Sequence, residues 1–365
     1  MSDPRRLLAP DALGSLRGRV FSYIGGNVSR AHCESLAPYV AGFTLAGKRG
    51  RKMARSIAAT TGAPVLWDPA LYVAQVGATC RTPTLFDEDE NVGFQADLGV
   101  AAFLSASGWV PDRDGEALRR VVDEGRRFCD RADRSGHSAP SFVVVPIGSW
   151  WLTRGRERLI TELRRVERPI ALVLCSRNDP LGVVGGVAGL VAVVRSVPDV
   201  AVIRTDLAGL GAMAHGSPFS AIGTGTGARH SVPVGTTGGG APDDDTPSVL
   251  VRGAGVYKKG SQIERCRSDG GLLSCPLPPC KGRHLRRFAD PASRPEAMLH
   301  AFAVIQELAD GILSHDPALR PEAWRLFAER AVQRLDDLET RTRVPWEAPR
   351  ALTDWASTPG SPRID

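Results

Sequence analysis

Three cysteines and a histidine late in the chain have the composition and order of a metal site. Cys266, Cys275 and Cys280 lie in a stretch rich in proline and glycine, and His300 follows in a strongly helical run. Zn²⁺ is commonly held by loop thiolates together with a histidine of an adjoining helix. Four such ligands leave no position for water, so the pattern predicts a structural zinc ion. His284 is an alternative ligand, and unpaired thiols beside an unrelated core histidine are the alternative to any metal.

Two carboxylates directly follow predicted strands. Asp68 comes after the apolar run 64–67, and Asp206 comes after 200–205. Because the carboxyl ends of parallel strands build the active sites of barrel enzymes, the two could divide nucleophilic and proton-transfer roles. We hypothesise that one attacks the substrate and the other manages protons. Asp206 could instead cap the helix that follows, and Asp68, which precedes Pro69, could form a turn.

The glycine-rich stretch GTGTGARH, residues 223–230, is a candidate anion site. Alternating glycines, including Gly225 and Gly227, let backbone amides face an anion, and Arg229 and His230 could add positive charge. The stretch matches neither the GxxxxGK pattern nor a spaced GxGxxG pattern. It therefore predicts contact with a phosphate or a nucleic-acid backbone, and a tight loop that needs positive φ is the alternative.

Short β-branched runs alternate with helical stretches through the first two thirds of the chain. The predicted strands are 20–25, 40–45, 64–67, 100–104, 141–147, 169–175, 200–205 and 219–223. The predicted helices between them are 30–37, 48–60, 88–98, 114–133, 153–167, 180–196 and 207–215. Eight strand–helix units in about 220 residues predict an α/β (βα)8 TIM barrel, and a doubly wound open sheet is the competing architecture.

Composition sets limits on the class of protein. The chain has 365 residues and a net charge of +6, and its basic residues gather at 48–55 and at 258–287. Such patches either neutralise nucleic-acid phosphates or form an ordinary solvated surface. No apolar run approaches the roughly 20 residues of a membrane span, and the N-terminus lacks the apolar stretch of a secretory signal. Seven scattered cysteines suit a reducing compartment, so we expect a cytoplasmic protein without membrane contact.

The order of these features resembles the tRNA-guanine transglycosylase superfamily, including its archaeal and DNA-modifying relatives. VFSYIGGNVSRAHCESLAPYVAGFTL looks like the opening strand, loop, helix and second strand of the family. VLWDPALYVAQ looks like the third-strand motif, which carries the family aspartate over to Asp68. TLFDEDENVGFQADLGVAAFL is similar to the segment that leads into the fourth strand. The family barrel also holds a zinc subdomain after the eighth strand, where this chain places its thiols.

The resemblance implies exchange of a guanine-type or 7-deazaguanine base in tRNA or DNA through a covalent enzyme intermediate, by a homo- or heterodimer. Two departures accompany it. The family shows Cys-x-Cys-x2-Cys, whereas this chain has Cys275-x4-Cys280, so Cys266 would replace the missing thiol. The family nucleophile would fall at 221–223, which holds no carboxylate, so Asp68 or Asp206 would replace it. The alternative is a catalytically inactive, zinc-containing subunit that binds nucleic acid.

These signals divide the chain into consecutive parts. The predicted parts are an N-terminal extension 1–15, the barrel 16–234, a linker with the zinc subdomain 235–294, C-terminal helices 295–345 and a disordered tail 346–365.

Overall fold

A computed structural model describes residues 13–25, 28–73, 85–232, 244–266 and 269–360, with the backbone alone at 85–88. Eight parallel strands form one sheet in the order β3-β2-β1-β8-β7-β6-β5-β4. The strands are β1 (Arg19–Ile24), β2 (Gly42–Ala46), β3 (Val65–Asp68), β4 (Phe103–Leu104), β5 (Ser141–Gly148), β6 (Ile170–Cys175), β7 (Val200–Thr205) and β8 (Phe219–Gly223).

The sheet curls into a nearly closed barrel. Strands β1 and β8 pair in register from Arg19 with Phe219 to Tyr23 with Gly223. The two end strands approach each other as well, because the amide of Ala101, just before β4, donates to the Val65 carbonyl in β3 at 2.9 Å. The barrel prediction is confirmed, and the competing open sheet is wrong.

Helices cover the outside of the barrel because its outward strand residues are apolar. The helices within the barrel are α1 (Arg30–Leu36), α2 (Gly47–Thr61), α3 (Leu85–Leu98), α4 (Gly115–Arg134), α5 (Ser149–Leu152), α6 (Arg156–Arg164), α7 (Gly186–Ser196), α8 (Ala208–Ala214) and α9 (Thr226–Arg229). The predicted helix 180–196 starts later than expected, at Gly186, because Gly185 has a left-handed φ of 77°. Aromatic rings fill the interior, and Phe219 contacts Phe21 and Phe142 edge to face.

An antiparallel hairpin and further helices follow the barrel. These are β9 (Ser248–Val251), β10 (Val256–Lys259), α10 (Gly260–Glu264), α11 (Arg294–Leu313), α12 (Arg320–Thr342) and α13 (Arg350–Ser357). The predicted disordered tail is wrong for residues 346–360. Trp346 is buried, and Trp355 of α13 packs edge to face on Trp324 of α12 with centroids 5.7 Å apart. Apolar residues at helical spacing, Leu352 and Trp355, give this segment a face to bury.

The predicted extension 1–15, linker and tail fall partly on 1–12, 233–243 and 361–365, which lie outside the described residues. In the described portion of the chain, no helix combines the length and the apolar character needed to cross a bilayer.

Candidate active site at the barrel mouth and candidate metal centre

Asp68 is the last residue of β3 and is fully buried at the carboxyl end of the barrel. Its Oδ2 accepts hydrogen bonds from the hydroxyls of Tyr23, at 2.7 Å, and Tyr72, at 2.5 Å. Its Oδ1 accepts from the Ala70 amide at 2.8 Å. Burial raises the pKa of Asp68, and these donors together with the charge of Arg204 oppose that rise. The structure therefore places the predicted aspartate at the barrel mouth, enclosed by two tyrosines.

Arg204 is a second member of this network that the sequence did not single out. A register shift between Ile203 and Thr205 interrupts β7, and Arg204 there has a φ of 52°, in the left-handed region. A non-glycine residue in that region stores strain, which is common at functional sites. Its guanidinium lies 5.6 Å from the ring centroids of both Tyr23 and Tyr72. The only available sequence signal was a single arginine in the otherwise apolar strand VAVIRT.

Asp206 lies in a different environment from Asp68. Its Oδ1 accepts a hydrogen bond from the amide of Ala208, the first residue of α8, at 2.8 Å. The N-cap of α8 is Leu207, one residue beyond the position that the capping alternative gave to Asp206. Its electrostatic partner is Asp179, in the loop after β6, whose Oδ1 accepts from the Leu181 amide at 2.8 Å. Burial, followed by the charge of Asp206, raises the pKa of Asp179 to about 6. The carboxylate that interacts with Asp206 is thus Asp179, which we did not predict and which lies four residues beyond the end of β6.

The raised pKa of Asp179 predicts a specific pH dependence of stability. The folded carboxyl binds its proton more tightly than the unfolded one, so its contribution is full below the unfolded pKa of about 3.8 and is lost as pH rises through about 6. Asp179→Asn cannot lose that proton. We expect the unfolding free energy of the variant, relative to wild type, to be about 2 kcal/mol higher at pH 8 than at pH 4. Urea unfolding across this range measures it.

Asp97→Asn is the matched control, because Asp97 is an exposed carboxylate on α3 and lies 3.7 Å from Arg55. Its difference from wild type should change less over this pH range than that of Asp179→Asn, because solvent screens an exposed side chain. A difference for Asp179→Asn that changes no more than that of the control would contradict the prediction.

The glycine loop closes over the end of β8. A Cβ on Gly223 would lie 2.2 Å from the carbonyl carbon and oxygen of Ala228, so no side chain fits there. This contact leaves no space for a carboxylate at Gly223, one of the three positions 221–223 that the resemblance matches to the family nucleophile. Gly225 and Gly227 do not have positive φ, so the alternative of a tight loop that requires it is wrong. The Gly227 carbonyl instead accepts a hydrogen bond from Arg204 Nη2 at 2.9 Å.

Arg229, at the end of this loop, connects the barrel to the hairpin. Its guanidinium stacks 3.2 Å from the ring centroid of Tyr257 in β10, and its Nη1 donates to Ser248 Oγ in β9 at 3.1 Å. His230 is half-buried beside it. Burial lowers the pKa of His230, Asp206 opposes this, and the positive charges of Arg204 and Arg229 add to it. The predicted loop residues and Arg204 thus form one electrostatically connected group.

Cys275, Cys280 and His300 form the candidate metal centre. Their ligand atoms all lie within 4.8 Å of one another, and all three side chains are buried. A tight turn brings the thiols together: the Gly282 amide donates to the Cys275 carbonyl at 2.8 Å, and Gly282 has a φ of 79°. His300 Nδ1 lies 3.2 Å from Cys280 Sγ. Its Nε2 lies 2.7 Å from the Leu250 carbonyl, which leaves Nδ1 free to bind a metal.

Two predicted ligands lie elsewhere. The Cys266 Sγ lies 3.5 Å from the Gln262 carbonyl and hydrogen-bonds near the end of α12. It therefore does not join the other thiols, contrary to our prediction. His284, the alternative, lies 3.2 Å from the Asp269 carboxylate. The reason is that Cys266 immediately follows α10 and packs against α12, whereas the other two thiols belong to one turn.

A basic side chain, Arg287, lies beside the candidate metal centre. Arg287 Nη2 lies 3.0 Å from Cys280 Sγ. The hydrogen bond from Cys275, followed by His300 and Arg287, lowers the pKa of the Cys280 thiol and favours its thiolate. A thiolate is the form that binds a metal, so this Cys2His group could hold one.

Comparisons with known proteins identify no family for this chain. No family model matches the chain, and no curated protein matches it. Solved structures with similarity include a xylose isomerase-like TIM barrel/4-hydroxyphenylpyruvate dioxygenase fusion protein, with 14% identity and a TM-score of 0.37 over 61% of this chain and 40% of that one. D-allulose 3-epimerase from Methylomonas sp. has 14% identity and a TM-score of 0.37 over 56% of this chain and 84% of that one. A xylose isomerase domain protein from Planctomyces limnophilus has 18% identity and a TM-score of 0.35 over 51% and 72%. At these values the neighbours imply nothing about this chain's activity.

Proposed function

We propose that this protein is a transglycosylase-like enzyme that exchanges a guanine-type base in tRNA or DNA at the barrel mouth. Asp68 is the nucleophile, and Asp179 and Asp206 together manage protons. The observation that carries the proposal is the position of Asp68: a carboxylate at the carboxyl end of a barrel strand, oriented by three hydrogen bonds and adjacent to a buried arginine. Barrel enzymes place their reacting groups at this end.

The proposed reaction requires one rearrangement of a side chain, which is followed by two chemical steps. Tyr72 must release Oδ2 of Asp68, and it belongs to the loop four residues beyond that aspartate. The carboxylate then bonds to the anomeric carbon as the glycosidic C–N bond breaks, and the electron pair leaves with the base, which takes a proton from Asp179. The incoming base loses its proton to Asp179, attacks the same carbon and restores the carboxylate. A carboxyl whose pKa is about 6 can serve both proton transfers near neutral pH.

We further propose that the metal bound by Cys275, Cys280 and His300 is Zn²⁺. Without Cys266 the protein ligands no longer fill four positions, so the structural role that we propose rests on the burial of all three side chains. Two thiols and an imidazole suit this ion, and the Leu250 carbonyl selects the tautomer of His300 that exposes Nδ1. The ion would tie the cysteine turn to α11, and His300 in turn contacts β9. The ion would therefore stabilise the packing of the β9–β10 hairpin beside the barrel mouth.

The nucleic-acid partner is favoured by the charge around this turn. Several basic residues close to the metal centre are exposed; they are Arg265, Lys281, Arg283 and Arg286. Arginine and lysine side chains that neutralise phosphates release counterions, so such binding weakens steeply as salt rises. On this proposal the basic surface contacts the substrate backbone while one base enters the barrel to reach Asp68.

A non-catalytic subunit that binds nucleic acid is the second candidate, and one observation favours it. Asp68 is completely buried and fully hydrogen-bonded, while Gly223 has no space for a replacement carboxylate. A barrel that had lost its chemistry would keep the metal centre and the basic surface.

Trapping of a covalent adduct distinguishes the two. The protein is incubated with tRNA or DNA, denatured rapidly and digested, and the modified peptide is mapped by mass spectrometry. We expect an adduct on Asp68, its loss in Asp68→Asn, and its retention with altered pH dependence in Asp179→Asn. Nucleic-acid binding without any adduct, unchanged by Asp68→Asn, would reject the enzyme in favour of the binding subunit.

A further inference from the structure

An apolar cavity of about 500 Å³ opens between α11, α12 and the β9–β10 hairpin. Its floor includes Leu250 and Val251 of β9 and Ile312 of α11, and all three side chains are buried. Its rim includes Leu319 and Leu326, which are 58% and 42% exposed. Because buried residues lie below an exposed rim, the cavity has depth and is more than a shallow surface patch. Its volume lies within the range of about 300–1,000 Å³ that is usual for small-molecule sites.

A glycine in the wall leaves this space unfilled. Gly311 lies inside α11 and lines the cavity, and a Cβ at this position would meet no atom within 4 Å. Its φ is not positive, so the backbone there does not require glycine. Glycine destabilises a helix interior relative to alanine. The residue therefore weakens the helix and keeps the cavity open.

The carboxylates that line the cavity are already paired with arginines. Glu307 accepts from Nε of Arg252 at 2.7 Å and from its Nη2 at 2.6 Å. Glu322 accepts from Nε of Arg325 at 2.8 Å and from its Nη2 at 2.6 Å, and Arg325 also pairs with Glu329. Bidentate pairing engages both oxygens of a carboxylate, so these two acids do not repel an anion as isolated carboxylates would.

Arg330 differs from the other arginine of the lining, Arg252. Its Nε donates to the Leu326 carbonyl at 3.1 Å, and no carboxylate of the described residues forms an ion pair with it. Its side chain is exposed, and its two Nη groups can donate to one carboxylate in parallel. The cavity thus combines an aliphatic interior with one available cation at its rim.

We infer that this cavity binds an amphipathic carboxylate with a single unbranched hydrocarbon chain, such as a medium-chain fatty acid. The chain would lie against the buried aliphatic floor, and the carboxylate would pair with Arg330. Burial of the chain supplies affinity, because each methylene removed from water is favourable. The inference is independent of the proposed function, because none of the residues assigned to the reaction or to the metal lines the cavity.

Octanoate, decanoate and decanol are the probes, each titrated into the full chain and followed by calorimetry. We expect saturable binding of decanoate, roughly 15-fold tighter than octanoate, because each buried methylene contributes about fourfold in affinity. Decanol has the same chain without the charge and should bind about tenfold more weakly than decanoate.

Gly311→Leu tests the cavity without endangering the fold. The leucine fills open space and replaces glycine in a helix, so we expect loss of decanoate binding with unchanged or higher stability. Gly93→Leu is the matched control, because Gly93 lies in α3 outside the cavity and a Cβ there also meets no atom within 4 Å. It should bind decanoate like wild type.

Arg330→Gln tests recognition of the carboxylate. It should reduce the affinity for decanoate to that for decanol and leave the affinity for decanol unchanged, an outcome that a purely structural role of Arg330 would not produce. Absence of saturable decanoate binding, or wild-type affinity in Gly311→Leu, would overturn the inference. Equal affinity of wild type for decanoate and decanol would do the same. A wild-type dimer in sedimentation that Gly311→Leu dissociates would assign the cavity to a second copy of the chain instead.

Discussion

Cys280→Ser is expected to abolish metal binding and to lower the unfolding free energy by on the order of 5 kcal/mol. The Cys280 sulfur lies 3.2 Å from Nδ1 of the ligand His300, and Nη2 of Arg287, outside the ligand group, lies 3.0 Å from it. A serine hydroxyl does not ionise at neutral pH and leaves Arg287 beside a neutral group. Elemental analysis of the purified protein should give one zinc per chain for wild type and none for the variant, and urea unfolding measures the loss of stability.

Cys266→Ser is the matched control. It distinguishes the three-ligand set of the structure from the four-ligand set that includes Cys266. Both sulfurs are buried, but the Cys266 sulfur faces the Gln262 carbonyl outside the cluster. The structure predicts that Cys266→Ser keeps its zinc, whereas the four-ligand set inferred from spacing predicts its loss. Loss of zinc from both variants would show that Cys266 is a ligand. A wild-type protein without zinc would show that this group does not bind the metal.

Asp68→Ala should destabilise the protein by about 3–5 kcal/mol, whatever its activity. The substitution removes the acceptor for two buried tyrosine hydroxyls and for the Ala70 amide, and it removes negative charge beside the buried Arg204. Each donor left unpaired costs free energy because water cannot reach it. Chemical denaturation at neutral pH is the measurement.

Asp68→Asn is the informative companion, because its amide oxygen can still accept a hydrogen bond and its volume is unchanged. It should lose less stability than Asp68→Ala while losing the adduct entirely. An Asp68→Ala protein as stable as wild type would show that the hydrogen-bonded network around Asp68 contributes nothing to folding.

The barrel was predictable because its signals are local. Strands such as Val200–Thr205 and Phe219–Gly223 occur at the predicted residues, since β-branched runs bounded by turn residues favour strands in any context. The helical run carrying His300 was also predicted, and α11 (Arg294–Leu313) begins one residue before the start predicted for the C-terminal helices, 295–345. Asp68 was predictable as a site residue because a carboxylate directly after a buried strand lies at the mouth of any parallel barrel.

The composition of each cluster was not predictable, because it depends on contacts between distant segments. Tyr23 and Asp68 are 45 residues apart, and only closure of the barrel brings their side chains together. The bulge at Arg204 depends on how β7 pairs with β8, which no local pattern encodes. Spacing likewise grouped Cys266 with the other thiols, whereas packing of its segment against α12 separated them.

The sequence by itself determined the barrel, the position of Asp68 and the choice of Cys275, Cys280 and His300 as candidate ligands, together with Cys266, because periodicity, ligand type and strand ends are properties of short segments. Only the tertiary structure decided that the charge of Asp206 acts on Asp179, that Asp68 lies between two tyrosines and that Cys266 lies apart from the other two thiols. Such electrostatic relations arise from burial and from contacts across strands, so they appear only once the barrel has closed.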